Sequence, residues 1–208
     1  GYIVDNGVDY PGGNDHGSIA CINGQWYIFY HRMTNGTIMS RRACVEKIEI
    51  LPDGTIPYVE MTSLGFEDSL SPYEITPADI ACVLKGGAII TERNKFERVI
   101  TNITDGCVIG YKYYDFGDDF SSKTMEFDAD VNGFGCDCTM HILIDGAGGE
   151  EIGTVKIGAD SGTVNTVVKN VTGRHSVFFK VTTDYNGWTG EFFKNRCLFE
   201  LRSFVFSK

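Results

Sequence analysis

The sequence is short of positive charge, of proline and of long apolar runs, and each shortage narrows what the chain can be. Lysine and arginine number 18 against 28 aspartates and glutamates, a formal charge of −10. With no basic stretch to meet phosphates, nucleic acid is not an expected partner. An acidic balance instead suits a neutral or cationic partner. No run approaches the roughly 18 apolar residues that a membrane helix needs, so no membrane partner is expected. The opening Gly1-Tyr2-Ile3-Val4-Asp5 has no basic region, no hydrophobic stretch and no initiator Met. A compartment therefore cannot be read from it, and a chain processed, trimmed or cut from something longer is expected. The 42% apolar and 22% charged residues suit a folded globular chain rather than a disordered one, and 208 residues suit one to two domains.

Seven cysteines are odd in number and scattered through strand-like stretches, which argues against a disulfide framework. Cys136-x-Cys138 is the one close pair, with His141 three residues on. Alternate residues of a strand share a face, so a metal there is conceivable. The zinc spacings that carry weight, however, are C-x₂₋₄-C in two pairs, and buried free thiols are the expected reading.

Helical periodicity is almost absent, and what recurs is alternation between turns supplied by 25 glycines. Met125, Phe127, Ala129 and Val131 fall on one face and Thr124, Glu126, Asp128 and Asp130 on the other, as in a half-buried strand. Residues 19–22, Asn23-Gly24 and 25–30 read as a hairpin with a primed turn. Residues 41–51, Pro52-Asp-Gly-Thr55 and 56–61 read as a second. Four antiparallel strands within residues 15–62 cannot close a core alone; in propellers such a meander is one blade, buried against its neighbours. Residues 63–78 are turn-rich and read as a linker. Strands are then expected near 79–85, 106–116, 123–131, 138–145, 151–157, 163–171, 175–182 and 197–207, the signature of a β-sandwich. The expected fold is all-β: a propeller-type four-stranded blade (1–62), a linker (63–78) and a jelly-roll sandwich (79–208).

Two stretches carry more than pattern. Asn14-Asp-His16-Gly-Ser18-Ile, Asn23-Gly-Gln-Trp-Tyr-Ile-Phe-Tyr-His31-Arg32, Arg41-Arg-Ala-Cys-Val-Glu46 and Leu51-Pro-Asp-Gly-Thr-Ile-Pro-Tyr-Val-Glu-Met-Thr62 resemble, in order and spacing, the last blade of glycoside hydrolase family 43, a five-bladed propeller. Asp105-Gly-Cys-Val-Ile-Gly-Tyr-Lys-Tyr-Tyr-Asp-Phe116, Ile144-Asp-Gly, Glu151-Ile-Gly-Thr154 and Val171-Thr-Gly-Arg-His175 resemble carbohydrate-binding module family 6, a jelly roll. Both halves occur together in xylosidase and arabinofuranosidase members. The resemblance implies the C-terminal portion of a glycosidase acting on plant polysaccharide, or else a non-catalytic module binding xylan- or arabinan-type glycans. It also implies that an N-terminal propeller segment is missing as a partner.

Family 43 enzymes invert configuration with two carboxylates set far enough apart for a water. In the family they come from earlier blades. Asp15, Glu46 and Glu60 have no opposing wall and are not expected to form an acid/base couple, so the chain alone is expected to be inactive. The resemblance places His16 near the propeller axis, where a calcium ion or its waters would be held. It places Arg41 at the floor of the sugar pocket as a partner of the catalytic acid, a role a planar fork suits. His31, Arg32 and Arg42 are expected to be structural. In the sandwich, the Trp that commonly stacks on sugar is absent around Ser161-Gly-Thr-Val-Asn-Thr166. Glu200 or Arg202 stands where Asn and Asp usually occur, and Pro77-Ala-Asp79 replaces the acidic pair of a structural calcium site. Tyr185 and Trp188 are the replacement sugar platforms, against the alternative that they fold back on the sandwich edge.

Overall fold

The computed structural model describes residues 3–4, 16–37, 39–119 and 121–208. Strands β1 (Ser18–Ile22), β2 (Gln25–Met33) and β3 (Arg41–Ile48) form an antiparallel sheet in that order. Asn23 and Gly24 join β1 to β2 with φ of 51° and 86°, the left-handed pair that a primed turn requires. The turn after β3 also forms: the Gly54 amide donates to the Leu51 carbonyl at 2.8 Å, and the Asp53 carboxylate accepts from the Thr55 amide and hydroxyl.

The fourth strand of the blade, expected over 56–61, is not part of this sheet. Pro57 has no amide to give a ladder, and Val59 donates instead to the Ile3 carbonyl at 2.7 Å. Met61 then joins Ile28, Tyr30 and Ile48 in the core. The segment crosses the face of the sheet instead of extending its edge. Glu46 fixes that crossing. Its buried carboxylate accepts from the Tyr30 hydroxyl (3.1 Å), the Thr62 amide (2.8 Å) and the Thr62 hydroxyl (2.6 Å).

The remaining strands are β4 (Thr76–Pro77), β5 (Val83–Lys85), β6 (Ile89–Asn94), β7 (Glu97–Ile103), β8 (Val108–Asp115), β9 (Thr124–Gly133), β10 (Cys138–Ile144), β11 (Glu150–Ile157), β12 (Gly162–Lys169), β13 (Arg174–Thr183) and β14 (Phe199–Ser207). A 3₁₀ turn covers Ala78–Ile80, and one short helix, α1 (Gly187–Phe193), precedes β14. One sheet runs β11-β10-β13-β8-β5; the other runs β12-β9-β14-β7-β6, with β4 also on β14. Their facing sides meet in an aromatic core. Tyr111, Phe179 and Phe127 surround Phe204, with centroids 4.8, 4.8 and 6.0 Å from it, and Phe206 lies 5.1 Å from Phe127. The β6–β7 hairpin was not among the strands expected from the sequence, and Lys95 and Phe96 form its turn. Alternation in β8 also breaks: Tyr111 and Tyr114, not Tyr111 and Tyr113, are buried, and the pairing with β13 shifts register between His175 and Val177.

Residues 63–78 do more than connect. Ser63 donates to Lys112 and Leu70 to Tyr113, while Asp115 donates back to Leu70, so the strap extends the edge of β8. Arg32 then fixes the blade to the sandwich. Only 5% exposed, it donates to the carbonyls of Ala81 (3.3 Å) and Cys82 (3.4 Å) and to the Cys44 sulfur. Ile90 donates to the Thr34 carbonyl at 2.8 Å, and Glu60 accepts from Lys112 and Tyr113. Replacing Arg32 by Met removes its donors to the Ala81 and Cys82 carbonyls and is expected to cost roughly 1–3 kcal/mol; the shift of the urea midpoint measures it.

Burial pushes the Glu46 carboxyl up from its ordinary 4.5, against the opposing hydrogen bonds from Thr62 and Tyr30. A raised acid binds its proton more readily folded than unfolded. Its contribution to stability is therefore full below pH 4.5 and is lost as pH rises through the folded value. Glu46→Gln can keep the three contacts without the charge, so its thermal midpoint should decline less than wild type's as pH rises from 4.5 toward neutrality. Parallel profiles would disprove the assignment.

Candidate functional site

Register places the first candidate site at the start of the blade. Ser18 pairs with Phe29, and His31 follows two residues further along the same face of β2, opposite Ala43 of β3. That face forms an open hollow lined by His16, Ser18, Phe29, His31, Arg41 and Ala43. The rings of His16 and His31 meet edge to face at 4.9 Å, and the buried Nε2 of His31 has no hydrogen-bond partner among the described residues. The structure thus brings His16 and Arg41 together and adds His31, which the sequence reading left as structural. The two-residue alternation with Phe29 is the signal that could have found it.

Calcium takes six to eight oxygens, whereas this hollow offers two imidazoles and a guanidinium. Among the described residues no three His, Cys, Asp or Glu side chains converge as a metal site. These residues therefore do not fit a directly bound calcium. Asp79, at the position of the sandwich calcium pair, lies near Arg42 and Arg98 instead. Cys136 and Cys138 are buried, and Cys138 is pushed up to about 12, first by burial and then by Asp184, so it behaves as an inert thiol. His141 is taken by Glu151 (2.7 Å) and Thr182 (2.9 Å). Of the three carboxylates excluded as a catalytic couple, Glu46 and Glu60 are engaged in the seam, and Asp15 lies outside the described residues.

The second candidate site is at the sandwich end, where Asn186 leads into α1. Trp188 is 82% exposed there, with Phe192, one helical turn on, at 53%. The guanidinium of Arg196 covers the Phe192 ring at 4.3 Å. Tyr185 does not stand free beside Trp188. Its ring stacks on Phe193 at 4.5 Å and 21°, and its hydroxyl accepts from the Asp137 amide at 3.2 Å, so it braces the loop. The sequence reading took this loop as a turn. Only as a helix does the four-residue spacing put Trp188 and Phe192 side by side.

These observations define a class first: an all-β chain in which a propeller-type blade is joined through a buried seam to a two-sheet sandwich. No family model matches the chain. It is 46% identical to the xylosidase/arabinosidase of Thermoclostridium stercorarium over a 128-residue alignment that takes in 51% of this chain and 27% of the relative. A glycoside hydrolase family 43 arabinoxylan arabinofuranohydrolase from Bacillus subtilis, solved in complex with cellotetraose, superposes over 100% of this chain and 44% of its own, with a TM-score of 0.62 and 22% identity. A family 6 carbohydrate-binding module from Clostridium cellulolyticum, solved with xylose, superposes over 67% of this chain and 100% of its own, with a TM-score of 0.54 and 23% identity. The chain spans less than a third of the length of the curated relatives it matches, 27% and 30%. It is similar to a portion of a glycoside hydrolase family 43-like enzyme, a blade followed by a family 6-like carbohydrate-binding domain.

The two aromatic candidates should separate by stability. Tyr185→Ala removes a ring stack and a hydrogen bond and is expected to cost about 1–3 kcal/mol. Trp188→Ala, at an exposed position, should stay within about 0.5 kcal/mol of wild type. Chemical denaturation of the two variants checks this, and equal losses would refute it.

Proposed function

We propose that the chain is the C-terminal portion of a β-xylosidase or α-L-arabinofuranosidase-type glycoside hydrolase that degrades plant polysaccharide, with the sandwich bracing the propeller. The observation that carries this reading is the seam. Arg32, Glu46 and Glu60 are the charged groups of the blade that could be mistaken for chemistry, and each is spent holding the blade, strap and sandwich together. The 46% identity to a xylosidase/arabinosidase supports the substrate class. Arg41 and the His16–His31 pair sit on one open face of the blade, where a preceding propeller segment would supply the acid and base. A calcium ion at that end would need oxygen ligands beyond the described residues, with His16 reaching only its waters.

Glu46 and Glu60, the described carboxylates weighed as an acid/base couple, are both held in the seam. The purified chain is therefore expected to show no turnover of nitrophenyl xyloside or nitrophenyl arabinofuranoside. Turnover proportional to added chain would overturn this reading. Activity that appears only when a preceding propeller segment is co-expressed would support it.

A second reading, a non-catalytic glycan-binding module, is favoured by one observation, the exposure of Trp188. Sugar C–H faces stack on such rings. On this reading the chain binds neutral xylo- or arabino-oligosaccharides with micromolar to millimolar affinity, and Trp188→Ala weakens binding at least about tenfold. Titration followed by tryptophan fluorescence and chemical shifts tests it, and no change at saturating sugar would exclude it.

A further inference from the structure

A trough along the seam between blade and sandwich is left unused by both readings. On the opposite face of β3 from the His16–His31 hollow, a second hollow of about 400 Å³ includes Arg32, Arg42 and Glu92. That hollow shares Asp79 and Arg98 with a third of about 510 Å³, which passes Ile75, Phe96 and Arg202 at the β6–β7 turn.

The charge of this path runs against that of the chain. Five of the eight arginines line it (32, 41, 42, 98 and 202), and Lys95 adds a sixth cation. They face five carboxylates, of which Glu46 is buried and pushed toward its neutral form. At its centre Asp79 lies 3.8 Å from Arg42 and 3.6 Å from Arg98, beyond hydrogen-bonding reach of either, while Arg98 also donates to Glu92 at 3.3 Å and Arg202 pairs with Glu97 at 3.3 Å. Burial and then the charge of Arg98 pull the Arg42 guanidinium below its ordinary range, the effect of a crowded cation whose anion is shared. Arg98 is half exposed, and Phe96, at the rim, is 86% exposed.

We infer that this trough binds a glycan chain carrying carboxylates, a polysaccharide with uronic-acid residues. A planar guanidinium matches a carboxylate through paired N–H donors. An exposed aromatic ring beside it suits the apolar face of the same sugar. An inorganic anion would engage the arginines but gain nothing from Phe96. The inference rests on the carbohydrate reading above and deepens it, because the expected ligand is anionic although the whole chain is acidic.

Isothermal titration of the 208-residue chain with a glucuronic-acid-substituted xylo-oligosaccharide and with its carboxyl-reduced counterpart tests this. The acidic ligand should bind at least roughly fivefold tighter, and the preference should vanish in about 0.5 M salt. Arg98→Gln and Phe96→Ala, both at exposed positions, should each lose roughly five- to tenfold on the acidic ligand, while Trp188→Ala keeps the preference. Equal affinity for the two ligands, or a preference that survives Arg98→Gln, overturns the trough while leaving the carbohydrate reading standing. Binding of neither ligand overturns both.

Discussion

A single buried guanidinium ties the molecule together. Arg32 leaves the second strand of the blade, enters the seam and gives its N–H donors to the carbonyls of Ala81 and Cys82, where the chain turns into the sandwich. Those carbonyls have little access to water, so the arrangement satisfies donor and acceptors at once, and loss of either side removes buried hydrogen bonds. Around this point the strap takes its course. Thr62 is held by Glu46, Ser63 and Leu70 extend β8, and Met61 fills the space over Ile28 and Ile48. Two candidate domains thus share one continuous core.

That seam also sorts the charged residues by role. The buried Glu46 carboxylate is held by three protein donors instead of standing open to a sugar or a water. Glu60 is likewise held by Lys112 and Tyr113. The side chains left accessible are of other kinds: the imidazole pair and Arg41 at the blade end, the arginines and Phe96 along the trough, and Trp188 and Phe192 on α1. These are the three places at which binding is proposed. On the reading proposed above, such a chain would contribute recognition and bracing to a larger hydrolase.

Several features were legible in the order of residues. Alternation in 124–131 became β9 with Phe127 and Ala129 inward, Asn23-Gly24 became the expected turn, and the ordered blade motifs pointed to the relatives that comparison found. Other features were hidden for identifiable reasons. The β6–β7 hairpin went unlisted among the expected strands, and the end of β6, residues 92–94, is exposed and charged where a half-buried strand would alternate. Pro57 and Met61 turned an apparent fourth strand across the sheet, since the missing amide and the core contact both oppose edge pairing. Tyr185 and Trp188 looked equivalent three residues apart, and only the helical path of α1 packed one ring inward and left the other out.

The sequence by itself determined the all-β class, the acidic balance, the positions of most strands and the family likeness, because these depend on local alternation, turn chemistry and motif order. The tertiary structure decided which groups of like chemistry are spent in the seam and which line an open surface. Arg42, Arg98 and Arg202 are scattered over 161 positions of the chain, yet strand register and strap bring them to one trough. Charge acts through distance in space, and distance in space is what a linear sequence leaves open until the chain has folded.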